Sequence, residues 1–267
     1  MLSDKIKHYQ QTGKSLQITP ARYKSQYEWL KEVDSLALAN AQLNLQAAYK
    51  NFFRKKRAGF PKYKSKKKSR KRYTTNNQHG SIRIEDGKIK LPKVGYVKIV
   101  QHRPMIGTIK SATIEQTPTN KYYVSILVEY ENQVPEVESH KFIGLDYSMH
   151  ELYVTSEGDR ADYPRYFRRH ERKLGRLCRW HSRQKLGSKN RERMRMRVCL
   201  EYEKITNQRT DYLHKKSYNL TEEYDAVCIE ALDMRIMRRL LRFGKSVSDN
   251  SFGKLRKMLS YKLYYRG

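Results

Sequence analysis

From residue 80 to 131, apolar and polar residues alternate nearly one by one, while the segments on either side repeat their apolar residues every three to four positions. A chain patterned this way is neither a helical bundle nor a regular strand–helix alternation. It predicts an α+β multidomain protein with its antiparallel strands gathered in one stretch. Within that stretch SIRIEDGKIKLP reads as two strands joined at Asp86-Gly87, a two-residue hairpin signal. Segments 94–100, 108–116 and 121–130 read as further strands, and short antiparallel strands in this number predict a small β-barrel.

The flanking patterns set the expected domains. Residues 1–53 read as a helical segment, with Asp34 or Ser35 capping a helix over about 35–53. Residues 54–79 read as a basic linker, 80–139 as the β-rich domain and 140–267 as a third domain. That third domain opens with the apolar strand FIGLD, followed by a returning strand over 151–156. Two amphipathic helices follow between 165 and 216, one marked by Phe167, His170, Leu174, Leu177 and His181. The other is marked by Met194, Val198, Tyr202, Ile205, Arg209 and Tyr212. Gly187-Ser188 and Asn190 supply the turn between them. A strand over 226–230 and an amphipathic segment over 246–265 complete the pattern.

Charge narrows the partners. The chain carries 57 Lys and Arg against 27 Asp and Glu, a formal net charge of +30. This argues against an ordinary metabolic enzyme and for a polyanion partner, because bound phosphates release counterions. Residues 54–73 hold 12 Lys and Arg and no acid, with Phe60, Tyr63 and Tyr73 interleaved. A solvated linker is one reading. Nucleic-acid contact through Lys55, Lys56, Arg57, Lys66, Lys67, Lys68, Arg70, Lys71 and Arg72 is the other. Segment 165–216 is basic as well, with 18 Lys and Arg against 5 acids. Arg209 interrupts the apolar face of its helix and is a candidate for phosphate or a buried acid.

Two acids stand out because each ends a short apolar strand: Asp146 and Glu230. Alone, either acid serves equally as a turn former or helix cap. If the two strands end together, the carboxylates share one sheet edge and can hold two Mg²⁺ ions for phosphodiester hydrolysis. The cysteines, Cys178, Cys199 and Cys228, form no CxxC pair, so neither a disulfide framework nor a zinc site is expected. Cys228, inside an apolar strand, reads as a core residue. No Walker loop, GxSxG or HExxH is present. No apolar run suits a membrane helix or an export signal, and the expected compartment is the cytoplasm, with nucleoid association in a bacterium.

Four stretches, in order from about residue 24 to the end, resemble the OrfB/TnpB family of insertion sequences: FFRKKRAGFPKYKSKK, FIGLDYS, GSKNRERMRMRVCLEYEKITNQRTDYLHKKSYNL and YDAVCIEAL. The resemblance implies a transposon-encoded protein of a family of RNA-guided DNA endonucleases. It implies DNA and a transposon-derived guide RNA as partners, Mg²⁺ as cofactor, and a wedge-like β-barrel ahead of a RuvC-like domain of RNase H type. Asp146 then matches the first catalytic acid and Glu230 the second, both as metal ligands, with the basic helical hairpin between them. The family's zinc ribbon and third catalytic Asp have no counterpart here, so the RuvC-like domain is expected to be incomplete and cleavage to suffer. Asp249 is considered as a stand-in and disfavoured, because the family acid follows the ribbon. Two other readings stay open: a nuclease-inactive RNA-guided DNA-binding repressor, and a basic RNA-binding protein unrelated to transposons.

Overall fold

The computed structural model describes residues 1–55, 58–65, 69–131, 134, 138–234, 236, 237 and 244–266. The chain divides into two compact units, Met1–Glu131 and Asn132–Gly267.

The first unit begins with helix α1 (Leu2–Thr12), two short 3-10 turns (Pro20–Tyr23 and Glu28–Lys31) and helix α2 (Ser35–Arg54). Asp34 caps α2 as anticipated, accepting from the backbone N–H groups of Leu36 and Ala37 at 3.2 Å each. The same buried carboxylate accepts from the Thr75 hydroxyl, and Asn40 donates to the Thr74 carbonyl at 3.1 Å. These bonds fasten α2 to strand β1 (Lys71–Asn76).

Strand β1 corrects the linker expectation for 54–79, because its last part pairs antiparallel with β5 (Thr108–Gln116), Thr75 opposite Ala112. KRYTTN carries too much charge to read as a strand, yet its Thr75 is buried by the pairing. The predicted hairpin forms β2 (Arg83–Glu85) and β3 (Lys88–Leu91), with Asp86 and Gly87 both at positive φ, as a two-residue turn of this kind requires. With β4 (Gly95–Lys98) and β6 (Tyr122–Glu129) the strands form two open three-stranded sheets, in the orders β1-β5-β6 and β2-β3-β4.

They do not close into the barrel that the strand count suggested. Ile82, Ile89, Leu91 and Ala112 form the core that joins the two sheets. Burial of that one apolar face is enough to hold them together without a hydrogen-bonded seam.

In the second unit β7 (Phe142–Ser148) lies at the centre of a mixed sheet of order β8-β7-β9. Strand β8 (Leu152–Thr155) runs antiparallel to it and β9 (Ala226–Ile229) parallel. Between β8 and β9 the chain makes the hairpin of α3 (Tyr166–Arg183) and α4 (Lys189–Glu223), the latter about 52 Å long at 1.5 Å per residue. Ser188 caps α4, accepting from Arg191 N–H at 3.1 Å. Helices α5 (Gly244–Asn250) and α6 (Phe252–Tyr264) replace the single final segment. The break falls at Ser251, whose φ of 55° cannot continue a right-handed helix. Phe252, Leu255, Met258 and Leu259 form a helical stripe that packs with Ile143, Leu145, Leu213 and Leu220 in the core.

The facing side of α4 differs from the one expected. Ile205 and Leu213 are buried, but Tyr202 is exposed and the buried neighbour is Glu201. Glu201 accepts from His170 Nδ1 and from Lys173 Nζ, each at 2.6 Å, and so binds α4 to α3 through an ionic cluster. No helix among the described residues is long and apolar enough to cross a membrane.

Candidate metal site and its basic surroundings

Alternation along β7 places Ile143 and Leu145 in the core and leaves Asp146 exposed. On β9, Val227 and Ile229 pack against the same core, while Cys228 and then Glu230 are exposed. Cys228 is therefore not the core residue that its apolar neighbours suggested. Its place in the period-two alternation turns it to the outer face.

The parallel register runs Phe142 to Ala226, Ile143 to Val227, Gly144 to Cys228 and Leu145 to Ile229. Asp146 and Glu230 are the next residue on each strand. Residues in register on adjacent parallel strands project to one face, and strands lie about 4.8 Å apart. A local device sets this register: Asp225 Oδ2 accepts from the backbone N–H groups of His140 at 2.9 Å and Lys141 at 3.0 Å, just ahead of the two strands. Those backbone bonds hold the Asp225 carboxyl below its usual range.

Neither Asp146 nor Glu230 has a hydrogen-bond or ion-pair partner for its carboxylate among the described residues, in a chain with thirty excess cations. Unpaired neighbouring carboxylates suit a hard divalent cation. Mg²⁺ commonly takes one or two protein carboxylates and completes its octahedron with water and substrate phosphate. Among the described residues no cluster of three or more His, Cys, Asp or Glu is placed to hold a metal. The donor set therefore fits one partly hydrated Mg²⁺ between two carboxylates.

Asp249 is employed elsewhere. It is buried, and its carboxylate accepts from the Phe167 N–H at 2.9 Å, the Arg168 N–H at 3.4 Å and the Tyr163 hydroxyl at 3.2 Å. These bonds satisfy the free amides at the start of α3, as an N-cap does, although the acid comes from α5. Arg209 donates to the carbonyls of Ser248 at 2.7 Å and Asp249 at 3.2 Å, closing the C-terminal end of α5. The sequence assigned no place to Glu201 and no partner to Asp249, because both depend on residues from a distant helix.

The basic residues are spread over the chain. Lys55 stands exposed at the C-terminal end of α2, and Arg70, Lys71 and Arg72 are exposed at the start of β1. Lys56, Arg57, Lys66, Lys67 and Lys68 lie outside the described residues. Of the interleaved aromatics, Phe60 packs edge-on against Tyr49 and Phe52 of α2, with ring centroids 5.7 and 5.4 Å away, while Tyr63 is 69% exposed and donates its hydroxyl to Ser3 Oγ at 3.0 Å.

Residues 125–241 match a protein family described as "Probable transposase", of the OrfB type found in IS605 elements. This stretch includes both strand-end acids and the whole helical hairpin. This match likens the chain to the OrfB/TnpB family. The chain is 30% identical over 255 residues to the "Putative RNA-guided DNA endonuclease InsQ" of Escherichia coli (strain K12), covering 90% of this chain and 62% of that protein. It is also 30% identical over 256 residues to a "Putative RNA-guided DNA endonuclease" of Streptomyces pristinaespiralis, covering 95% and 63% respectively. The chain thus spans somewhat less than two thirds of the length of these relatives. These likenesses count against the reading as a basic protein unrelated to insertion sequences.

Proposed function

We propose that this OrfB/TnpB-like chain binds RNA and DNA and carries an Mg²⁺-dependent, RNA-guided DNA-cleaving site at Asp146 and Glu230. The observation that carries the proposal is the parallel β7–β9 ladder, which ends with one unpaired carboxylate on each strand. The mixed sheet, with its crossover through α3 and α4, supports a RuvC-like reading of the second unit. The names of the two relatives support the guide RNA and the DNA target.

Hydrolysis of a phosphodiester requires charge neutralisation at the attacked phosphate and an activated water. Mg²⁺ held by the two carboxylates would supply Lewis acidity and a more acidic water. The residues of the chain do the rest. Asp146 and Glu230, acceptors only when ionised, would hold the ion and accept hydrogen bonds from water brought to the site. Their place on an exposed sheet face leaves a strand room to approach. The basic outer faces of α3 and α4 neutralise backbone phosphates without reading sequence. Sequence choice is assigned to pairing between guide and target, as in RNA-guided effectors generally.

The test is cleavage of supercoiled target plasmid by the purified chain with its copurifying RNA, in Mg²⁺ and in EDTA. The expected result is Mg²⁺-dependent cutting that Asp146→Ala and Glu230→Ala each abolish. RNA-dependent binding without cutting would overturn the nuclease half of the proposal.

A further inference from the structure

The residues after Glu230 line a cavity of about 630 Å³ against the first turns of α6. One wall is Ala231, Leu232, Asp233 and Met234, and the other is Gly253, Lys254, Arg256 and Lys257. We infer that this cleft is a phosphate-binding groove that seats the backbone of the DNA strand presented to Asp146 and Glu230. The inference rests on the function proposed above for those two acids.

Four observations support it. First, the cleft begins at the residue after Glu230, and β9 packs directly on α6. Second, three of its eight lining residues are cations on the exposed face of α6, whose other face is fixed in the core by Phe252, Leu255, Met258 and Leu259. Third, Arg256 and Lys257 have no ion-pair partner among the described residues, and the one acid in the wall is already engaged. Asp233 Oδ1 accepts from the Ile236 N–H, and its carbonyl from the Met237 N–H at 3.1 Å.

The fourth observation is a partly buried lysine whose charge a phosphate would offset. Lys254 donates to the Thr210 hydroxyl at 2.6 Å, while Arg209 one residue earlier on α4 binds only the carbonyls of Ser248 and Asp249. Burial, and secondarily the Arg209 charge, bring the Lys254 ammonium below its usual range. Lys254 has no ion-pair partner among the described residues, so its ammonium gains from an anion that enters beside it. Ala231, Leu232 and Met234 add an apolar floor suited to sugar and base rather than to a free ion.

Gly253 makes the inference testable without disturbing the core. Its φ is ordinary, and a Cβ there would meet nothing within 4 Å. Glu at this first-turn position suits the helix dipole, so Gly253→Glu should fold while placing a negative charge in the groove. Ser260→Glu adds the same charge to the exposed side of the same helix, outside the cleft.

The experiment measures binding of a fluorescent deoxythymidine dodecamer by the full chain in EDTA, over a range of salt, with melting temperature recorded for each variant. The expected result is a loss of about tenfold or more for Gly253→Glu at low salt against less than about threefold for Ser260→Glu. Arg256→Gln with Lys257→Gln should lower the salt slope by about 1.4, at roughly 0.7 per single-strand phosphate contact. Equal losses for the two Glu variants, or an unchanged slope for the Gln pair, would overturn the groove. Because no cleavage is read, loss of the groove and loss of the nuclease proposal are separate outcomes. Wild-type plasmid cutting with no groove effect removes only the former, and a groove effect in a chain that never cuts removes only the latter.

Discussion

Leu145 of β7 and Ile229 of β9 form the last couple of the parallel ladder, so that each strand continues into a carboxylate. Both acids are exposed, and neither supports the core. Asp146→Ala should therefore change folding stability by no more than about 0.5 kcal/mol. Nucleic-acid affinity should also stay nearly constant, because phosphate binding belongs to the Lys and Arg side chains. Cutting should disappear. Thermal melting and binding titration beside the plasmid assay check all three, and a large affinity loss would contradict the metal-ligand role.

Glu201 offers a pH dependence with a definite sign. Burial acts to raise its carboxyl, but the hydrogen bonds from Lys173 and His170, with their charges, prevail and hold it below its ordinary value of 4.5. A depressed folded value means that the contribution is complete above that ordinary value and is lost as pH falls through the folded one. Melting temperature should drop on acidification below about pH 4.5, and Glu201→Gln should flatten the drop. Glu201→Ala, which strands the Lys173 ammonium and the His170 ring nitrogen, should cost about 2–4 kcal/mol at neutral pH. Denaturant titrations at a series of pH values measure both.

Asp249 and Arg209 should behave as structural residues. Burial first, then the neighbouring Asp249 charge, pushes the Tyr163 phenol far above its usual range, so it remains a hydrogen-bond donor to Asp249 throughout the accessible pH range. Asp249→Ala leaves the Tyr163 hydroxyl its bond to the residue 249 carbonyl at 2.7 Å but removes the cap of α3, with an expected cost of about 1–3 kcal/mol. Arg209→Ala should cost about 1–2 kcal/mol by freeing two carbonyls. Urea unfolding reads these losses. Normal stability combined with lost cleavage in Asp249→Ala would instead return it to the metal site.

The basic run that follows α2 and enters β1 is expected to hold nucleic acid. Replacing Lys66, Lys67, Lys68, Arg70, Lys71 and Arg72 by Gln should flatten the logarithmic salt dependence of duplex binding by up to about five units, at 0.9 per phosphate. An unchanged slope would mean that these side chains only keep the segment solvated.

Much of this protein was legible in one dimension because the determining interactions are local. Alternating apolar residues marked β5 and β6 nearly to the residue, Asp86-Gly87 marked a hairpin, and Asp34 marked the start of α2. The strand-end acids were legible for the same reason: an apolar run that stops at a carboxylate is a local signal. The family resemblance rested on equally local motifs.

Contacts between distant segments decided the rest. Whether Asp146 and Glu230 share a sheet edge depends on a parallel register between strands some eighty residues apart, which Asp225 sets by binding the start of β7. β1 becomes a strand only because β5 accepts it. Asp249 caps a helix eighty residues earlier, and Cys228 lies outside the core because of the face on which its strand packs. The sequence by itself determined which elements form and which of their residues carry charge, because propensity and periodicity act over a few residues. Only the tertiary structure decided which charges are unpaired and adjacent, because burial and partnership depend on residues far away along the chain.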